Sequence, residues 1–128
     1  MPDERSALRI VLVDDAEGIR QLVAELVTRA GHHVVGLARD GWAGVELALS
    51  ERPDVVITDW RMPRLDGVET TRRIRAAYPD VAIVAITTDP SACDALLQAG
   101  ADACVDKRDV RGLVGALDSV AQSRGRLV

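Results

Sequence analysis

Residues 55–77, VVITDWRMPRLDGVETTRRIRAA, set a short Val/Ile run ahead of a helical stretch, and this pairing decides how the rest of the chain is read. Val55 to Ile57 is an unbroken apolar run, and residues 67 to 77 read as a helix. A strand with one wet face alternates apolar and polar residues, whereas an unbroken apolar strand is covered on both faces, as in a parallel sheet. Working outward, the same pairing recurs. Ile10 to Val13, the shorter His33 to Leu37 and Val81 to Ile86 read as strands; Ala103 to Val105 is weaker and is placed mainly by the rhythm. Between them, Ile19, Leu22, Val23, Leu26, Val27 and Ala30 repeat at the helical period, with Gly31 as the C-terminal cap. Residues 41 to 51 and 89 to 99 supply two more helices, the second opened by Asp89 as cap and Pro90 at the first position. Val110, Leu113, Val114, Leu117, Val120 and Ala121 form the last helical face, behind Asp109 as N-cap.

Five strand–helix units predict an α/β fold: a doubly wound, five-stranded parallel sheet, (βα)5 and flavodoxin-like, with strand order 2-1-3-4-5. Right-handed crossovers bring all strand C-termini to one edge, and ligands sit where the order reverses, between strands 1 and 3. One domain is expected over residues 8–123, with 1–7 and 124–128 as flexible ends.

Composition narrows the function classes. No apolar run among the 128 residues approaches the roughly 20 needed to span a membrane. The opening MPDERSALRI lacks the apolar core of a signal peptide, so a soluble, cytoplasmic protein with no membrane partner is expected. The net charge of −4 argues against direct nucleic-acid binding by this segment, because such binding rests on neutralising phosphates. Cys93 and Cys104 have no metal-ligand spacing and are read as free thiols in a reducing compartment, in preference to a redox switch on the helix 4 and strand 5 face. Among the 16 basic residues Lys107 is the only lysine, which asks for a specific explanation.

The strand ends supply one. Strand 1 ends in Asp14 and Asp15, strand 3 in Asp59 and strand 4 in Thr87, while Lys107 follows strand 5. Singly, these residues read as helix caps, a strand-ending hydroxyl and a solvated surface cation. Together, on one edge, they form a constellation. Two carboxylates about 4 Å apart repel by roughly 4 kcal/mol at an effective dielectric near 20, and three carboxylates make three such pairs. A divalent cation relieves this, and all-oxygen ligation suits Mg²⁺ (or Mn²⁺) better than Zn²⁺.

VLVDD, VVITDWRMPRLDG, AIVAITT and AGADACVDK resemble, in order and spacing, the receiver domains of two-component response regulators, over residues 8 to about 122. The absence of a proline after Lys107, with DGVETTRRIRAAYPDV, is most similar to receivers joined to helix-turn-helix domains. The resemblance implies that Asp59 accepts a phosphoryl group from a sensor histidine kinase or phosphotransfer protein. It implies that Asp15, Asp59 and the backbone carbonyl of Arg61 bind Mg²⁺, with Asp14 acting through water, and that Thr87 and Lys107 hydrogen-bond the phosphoryl oxygens. The output would be a change in the face of helix 4, strand 5 and helix 5, controlling a partner or a homodimer. Such a protein assists its own phosphorylation but is not a turnover enzyme.

Three departures from the family pattern carry expectations. Receivers usually have Tyr or Phe three residues before the lysine, and here that position is Cys104. Switching by aromatic rotation is therefore not expected, and output rests more on backbone movement of Thr87, Thr88 and helix 4. Arg108 stands where many receivers have a proline after a cis peptide; a cis bond before a non-proline residue costs about 3 kcal/mol, so this one is expected trans. Arg61 and Asp89, each two residues past a strand-end group, are expected to form an ion pair at the mouth of the site. Trp60 is read as packing beside it.

Other classes fit less well. A haloacid-dehalogenase-type phosphatase places Asp-x-Asp after strand 1, and this chain has Asp14-Asp15-Ala16. A flavin site needs a Ser/Thr/Gly phosphate loop there, where two carboxylates would repel phosphate. The remaining alternative is a receiver-shaped interaction module that is never phosphorylated.

Overall fold

The structure, a computed structural model, describes residues 7–125. In chain order the elements are β1 (Arg9–Val13), α1 (Glu17–Arg29), β2 (His33–Ala38), α2 (Gly41–Glu51), β3 (Val55–Asp59), α3 (Gly67–Ala77), β4 (Ala82–Thr87), α4 (Cys93–Gln98), β5 (Ala103–Asp106) and α5 (Val110–Gly125). All pairings are parallel, and the sheet order is β2-β1-β3-β4-β5, the order favoured from the sequence. Of the expected flexible ends, residues 1–6 and 126–128 lie outside the described residues.

The period of two along each strand sorts the core into two layers. Ile10 and Leu12 of β1, Val55 and Ile57 of β3, and Val84 and Ile86 of β4 face α1 and α5, packing with Val27, Leu113 and Leu117. Val11, Val13, Val56, Ile83 and Ala85 point the other way, against Ala48, Ile74 and Leu96 of α2, α3 and α4. With helices on both sides, β3 is buried along its whole length, Thr58 and Asp59 included. That burial explains why β3 outruns the apolar run Val55 to Ile57: polar Thr58 and Asp59 continue the ladder, pairing with Ala85 and Ile86 of β4.

The helix ends follow local chemistry. Asp40 and Asp66 cap α2 and α3, their carboxylates accepting from the backbone N–H groups of Ala43 and Glu69. Asp109 accepts from Gly112 N–H at the start of α5. Gly31, just past the α1 cap residue Ala30, has φ 97, the left-handed geometry that ends helices on glycine.

Two expectations are corrected. The helix expected over 89–99 opens instead as a 3₁₀ turn, Pro90–Ala92, and only Cys93–Gln98 is α-helical. Asp89 caps that turn, its carboxylate accepting from Ser91 N–H and Oγ, and Ala92 N–H bonds Asp89 O at 3.1 Å; this local bonding tightens the first turn. The cysteines are not free. Cys93 and Cys104 are joined as a disulfide with their Cα atoms 5.6 Å apart. The expectation of free thiols came from redox compartment alone, whereas bridging is decided by proximity, and the chain brings the first residue of α4 beside β5 within bridging distance.

Candidate functional site

Asp14 leaves β1 with its N–H bonded to Ala38 O at 3.0 Å, so the sheet ladder fixes its backbone. Its side chain is fully buried. It does not cap α1, whose N-cap residue is Ala16 without a side-chain cap; Asp14 Oδ1 instead accepts from Ala16 N–H at 2.9 Å, which orients the carboxylate. Asp15, the next residue, is exposed. Asp59 ends β3 almost completely buried, its Oδ1 accepting from Trp60 N–H at 2.7 Å.

Lys107 reaches both buried acids. Its Nζ lies 2.9 Å from Asp59 Oδ1 and 3.0 Å from Asp14 Oδ2, an ion pair with each. Two backbone features aim it. Lys107 N–H bonds Thr87 O at 3.1 Å, tying β5 to the end of β4. Arg108 then closes the turn: its backbone N–H and guanidinium both bond the Asp106 carboxylate, at 2.8, 2.9 and 2.7 Å, and hold that carboxyl down to about 2. No cis peptide occurs among the described residues, so Lys107 to Arg108 is trans as expected.

The electrostatics are those of a crowded acid site with one cation. Burial pushes the Asp59 carboxyl above its ordinary value; Lys107 pulls it back and the neighbouring Asp14 charge pushes it up again, leaving it raised. Burial works against the Lys107 charge, but Asp59 and Asp14 outweigh it, so its pKa rises and it stays cationic. Three carboxylates against one ammonium leave a net deficit of positive charge. Donor atoms of Asp14, Asp15 and Asp59 all lie within 4.8 Å of one another. Oxygens on one Mg²⁺ stand about 2.1 Å from it, hence at most about 4.2 Å apart, so two carboxylates bonded directly and a third through water fit this spacing. Hard oxygen donors and missing positive charge both suit that ion.

Thr87, buried at the end of β4, turns its hydroxyl to the following loop: Oγ1 accepts from Asp89 N–H at 3.0 Å and approaches Asp89 O at 3.4 Å. Thr88 beyond it is exposed. The ion pair expected between Arg61 and Asp89 does not form. Ser91 occupies the Asp89 carboxylate and, with a lesser contribution from the Arg61 charge, lowers its pKa. The Arg61 guanidinium lies 4.7 Å over the Trp60 ring, and the ring packs against the α2–α4 side of the core.

A family model described as the response regulator receiver domain matches residues 10–118. The chain belongs to the response-regulator receiver family. Response regulator MprA of Mycolicibacterium vanbaalenii is 38% identical over 97 residues, covering 74% of this chain and 42% of MprA. A protein-glutamate methylesterase/protein-glutamine glutaminase of Myxococcus xanthus is 42% identical over 104 residues, 78% of this chain and 30% of that protein. Among solved structures, the signal receiver domain of response regulator NarL from Mycobacterium tuberculosis superposes with a TM-score of 0.84 at 30% identity, over 91% of this chain and 97% of that one. A LuxR-family two-component response regulator from Aurantimonas sp. SI85-9A1 gives 0.86 at 31% identity, over 92% and 87%. The receiver thus spans 42% of the length of the MprA relative it matches. None of its described helices is long and apolar enough to cross a membrane.

Two residues shape this receiver's site beyond those its sequence singled out. Arg20 of α1 donates from Nη1 to Asp14 O at 2.7 Å, pinning the β1–α1 loop where two acids must stay close. Gly67 lies so near Asp59 that an added Cβ would overlap the Asp59 carbonyl oxygen and sit 2.8 Å from Trp60 Cα. The Asp-Gly pair closing the strand 3 motif hinted at the second, with Asp66 as the α3 cap and Gly67 as clearance. Arg20 had no local signal, since arginine on a helix is ordinarily solvated.

Proposed function

We propose that this receiver, over residues 8–123, is a phosphorylation-dependent signalling switch in which Asp59 takes a phosphoryl group from the phosphohistidine of a sensor kinase or phosphotransfer protein. The support is the contact set of the single lysine, 2.9 Å from one buried strand-end acid and 3.0 Å from another, beside a third acid. All contacts on the Asp59 carboxylate described above fall on Oδ1, so Oδ2 is the oxygen open to phosphorus. It attacks in line; the phosphorus–nitrogen bond of the donor breaks and its electron pair stays on the imidazole. Lys107 supplies a point charge that follows the phosphoryl oxygens. When bound, Mg²⁺ (or Mn²⁺) supplies charge neutralisation on those oxygens, held by Asp15, Asp59 and the Arg61 carbonyl with Asp14 acting through water.

For the Thr87 hydroxyl to donate to a phosphoryl oxygen it must turn from Asp89 O, 3.4 Å away, and this starts a displacement in residues 88–92 that reaches the face of α4, β5 and α5. A partner or a second copy reads that face. The protein modifies itself and turns over no other substrate. Incubation with acetyl phosphate and Mg²⁺ followed by intact-mass measurement tests the reading: a phosphoryl adduct is expected on the wild type and not on Asp59→Ala. No adduct on a wild type with Mg²⁺ bound would instead make the chain a constitutive interaction module.

A further inference from the structure

We propose that Cys93 and Cys104 form a reversible thiol–disulfide site that decides whether α4 responds when Asp59 is phosphorylated. The inference rests on the phosphorylation reading above. The ring closed by the bond spans 11 positions and contains the whole of α4, from its first residue to the second residue of β5. Cys104 pairs with Ala85 of β4, and Lys107 N–H bonds Thr87 O at 3.1 Å, so the bridge moors α4 to the strand that leads directly into the lysine.

Magnitude decides what the bond does. Bridged cysteines keep their Cα atoms within about 4.4–6.8 Å. With these at 5.6 Å, the start of α4 has little more than an ångström of outward travel. Helix displacements in switching proteins begin at about 1–2 Å and run to a full turn. Oxidised, the receiver holds the start of α4 to the smallest of these shifts; reduced, it releases α4, whose burial then rests on Leu96 and on Ala92 in the turn before it.

Both cysteines are only half-buried, so an exchange partner reaches them. A dithiol reductant attacks one sulfur, forms a mixed disulfide, and resolves it with its second thiol, leaving two protein thiols and an oxidised reductant. Glutathione disulfide or a disulfide-bearing oxidoreductase takes the two electrons back. A half-exposed bridge in a reducing compartment is therefore labile and reports the local redox poise. This bridge stands where receivers usually carry the aromatic switch residue, so a covalent restraint takes the place of a rotating ring.

The test uses the full chain, oxidised with glutathione disulfide or reduced with dithiothreitol, loaded with acetyl phosphate and Mg²⁺. Intact mass reads the adduct, and amide hydrogen exchange reads residues 88–99. Both redox forms are expected to take the adduct, with a phosphorylation-dependent exchange change across Cys93–Gln98 only in the reduced form. Cys93→Ser is expected to behave as the reduced wild type under both conditions. The same exchange change in both redox forms would sink the inference, as would free thiols alkylated by iodoacetamide after equilibration with glutathione disulfide. Failure to form an adduct in either form would overturn the phosphorylation reading and this inference with it.

Discussion

Lys107 Nζ stands 2.9 Å from Asp59 Oδ1, so the buried carboxylate that ends β3 already carries a cation. The same ammonium serves fully buried Asp14 at 3.0 Å. Lys107→Ala therefore leaves two buried acids facing each other. Removing one partner of a buried pair costs about 3–5 kcal/mol, and with protonation of Asp59 as an escape we expect a loss of up to about 3 kcal/mol. Urea unfolding measures it. Saturating Mg²⁺ is expected to restore much of the loss, and an equal loss with and without Mg²⁺ would show that the two cations do not share the acids.

Gly67→Ala is expected to harm both fold and site. The new Cβ would meet backbone atoms of Asp59 and Trp60, which do not swing aside as a side-chain end does. Overpacking of this kind costs about 1–3 kcal/mol. Phosphoryl uptake from acetyl phosphate should slow as well, because the displaced group belongs to Asp59, the proposed acceptor. Gly115→Ala is the control: nothing lies within 4 Å of its added Cβ, and a helical Gly to Ala exchange stabilises by about 0.5–1 kcal/mol.

Arg20→Ala removes the 2.7 Å bond to Asp14 O while leaving every carboxylate in place. A charge-assisted hydrogen bond on a half-exposed side chain contributes about 1.5 kcal/mol. If that bond keeps Asp14 and Asp15 together, Mg²⁺ affinity falls by up to about tenfold. Titration followed by Trp60 fluorescence, with Trp42 replaced, reads this; unchanged affinity with lowered stability would make Arg20 a fold residue only.

His32 sets an acid limit on stability away from the site. It is nearly fully buried, and its Nδ1 accepts from Leu8 N–H at 3.0 Å, so the ring is neutral with its proton on Nε2. Burial holds its pKa below the ordinary 6.5, with Asp118 partly opposing and His33 adding to the lowering. The unfolded chain binds this proton as pH falls through 6.5 while the folded chain does not. The contribution is thus complete above that value and declines below it. The urea midpoint should fall between about pH 7.5 and about pH 5.5, and His32→Asn, whose amide oxygen still accepts from Leu8, should flatten the decline.

Legibility in the sequence followed the range of the interaction. Helices α2 and α3 begin and end where residues 41–51 and 67–77 placed them, because Asp40 and Asp66 cap within a few residues. The convergence of Asp14, Asp59 and Lys107 was legible too, since parallel topology alone carries strand ends to one edge. What was not legible depends on side-chain reach between elements. Arg61 turned to Trp60 rather than Asp89, Arg20 found the Asp14 carbonyl, and Cys93 met Cys104. The split of residues 89–99 is intermediate: Asp89 and Pro90 announced a helix start, but the competing bonds to Ser91 made it 3₁₀.

Strand order has a mechanical consequence. β3 is clasped between β1 and β4, whereas β5, four residues long, has a neighbour on one side only. The sheet therefore has a stiff middle and a compliant margin. Asp59 stands on the stiff part, where the oxygen proposed to attack phosphorus would be held still; Cys104 lies on the compliant part, where a backbone gives way under load. A change at the margin, even replacing a ring by a covalent stay, adjusts how far the molecule deflects and leaves the anvil untouched.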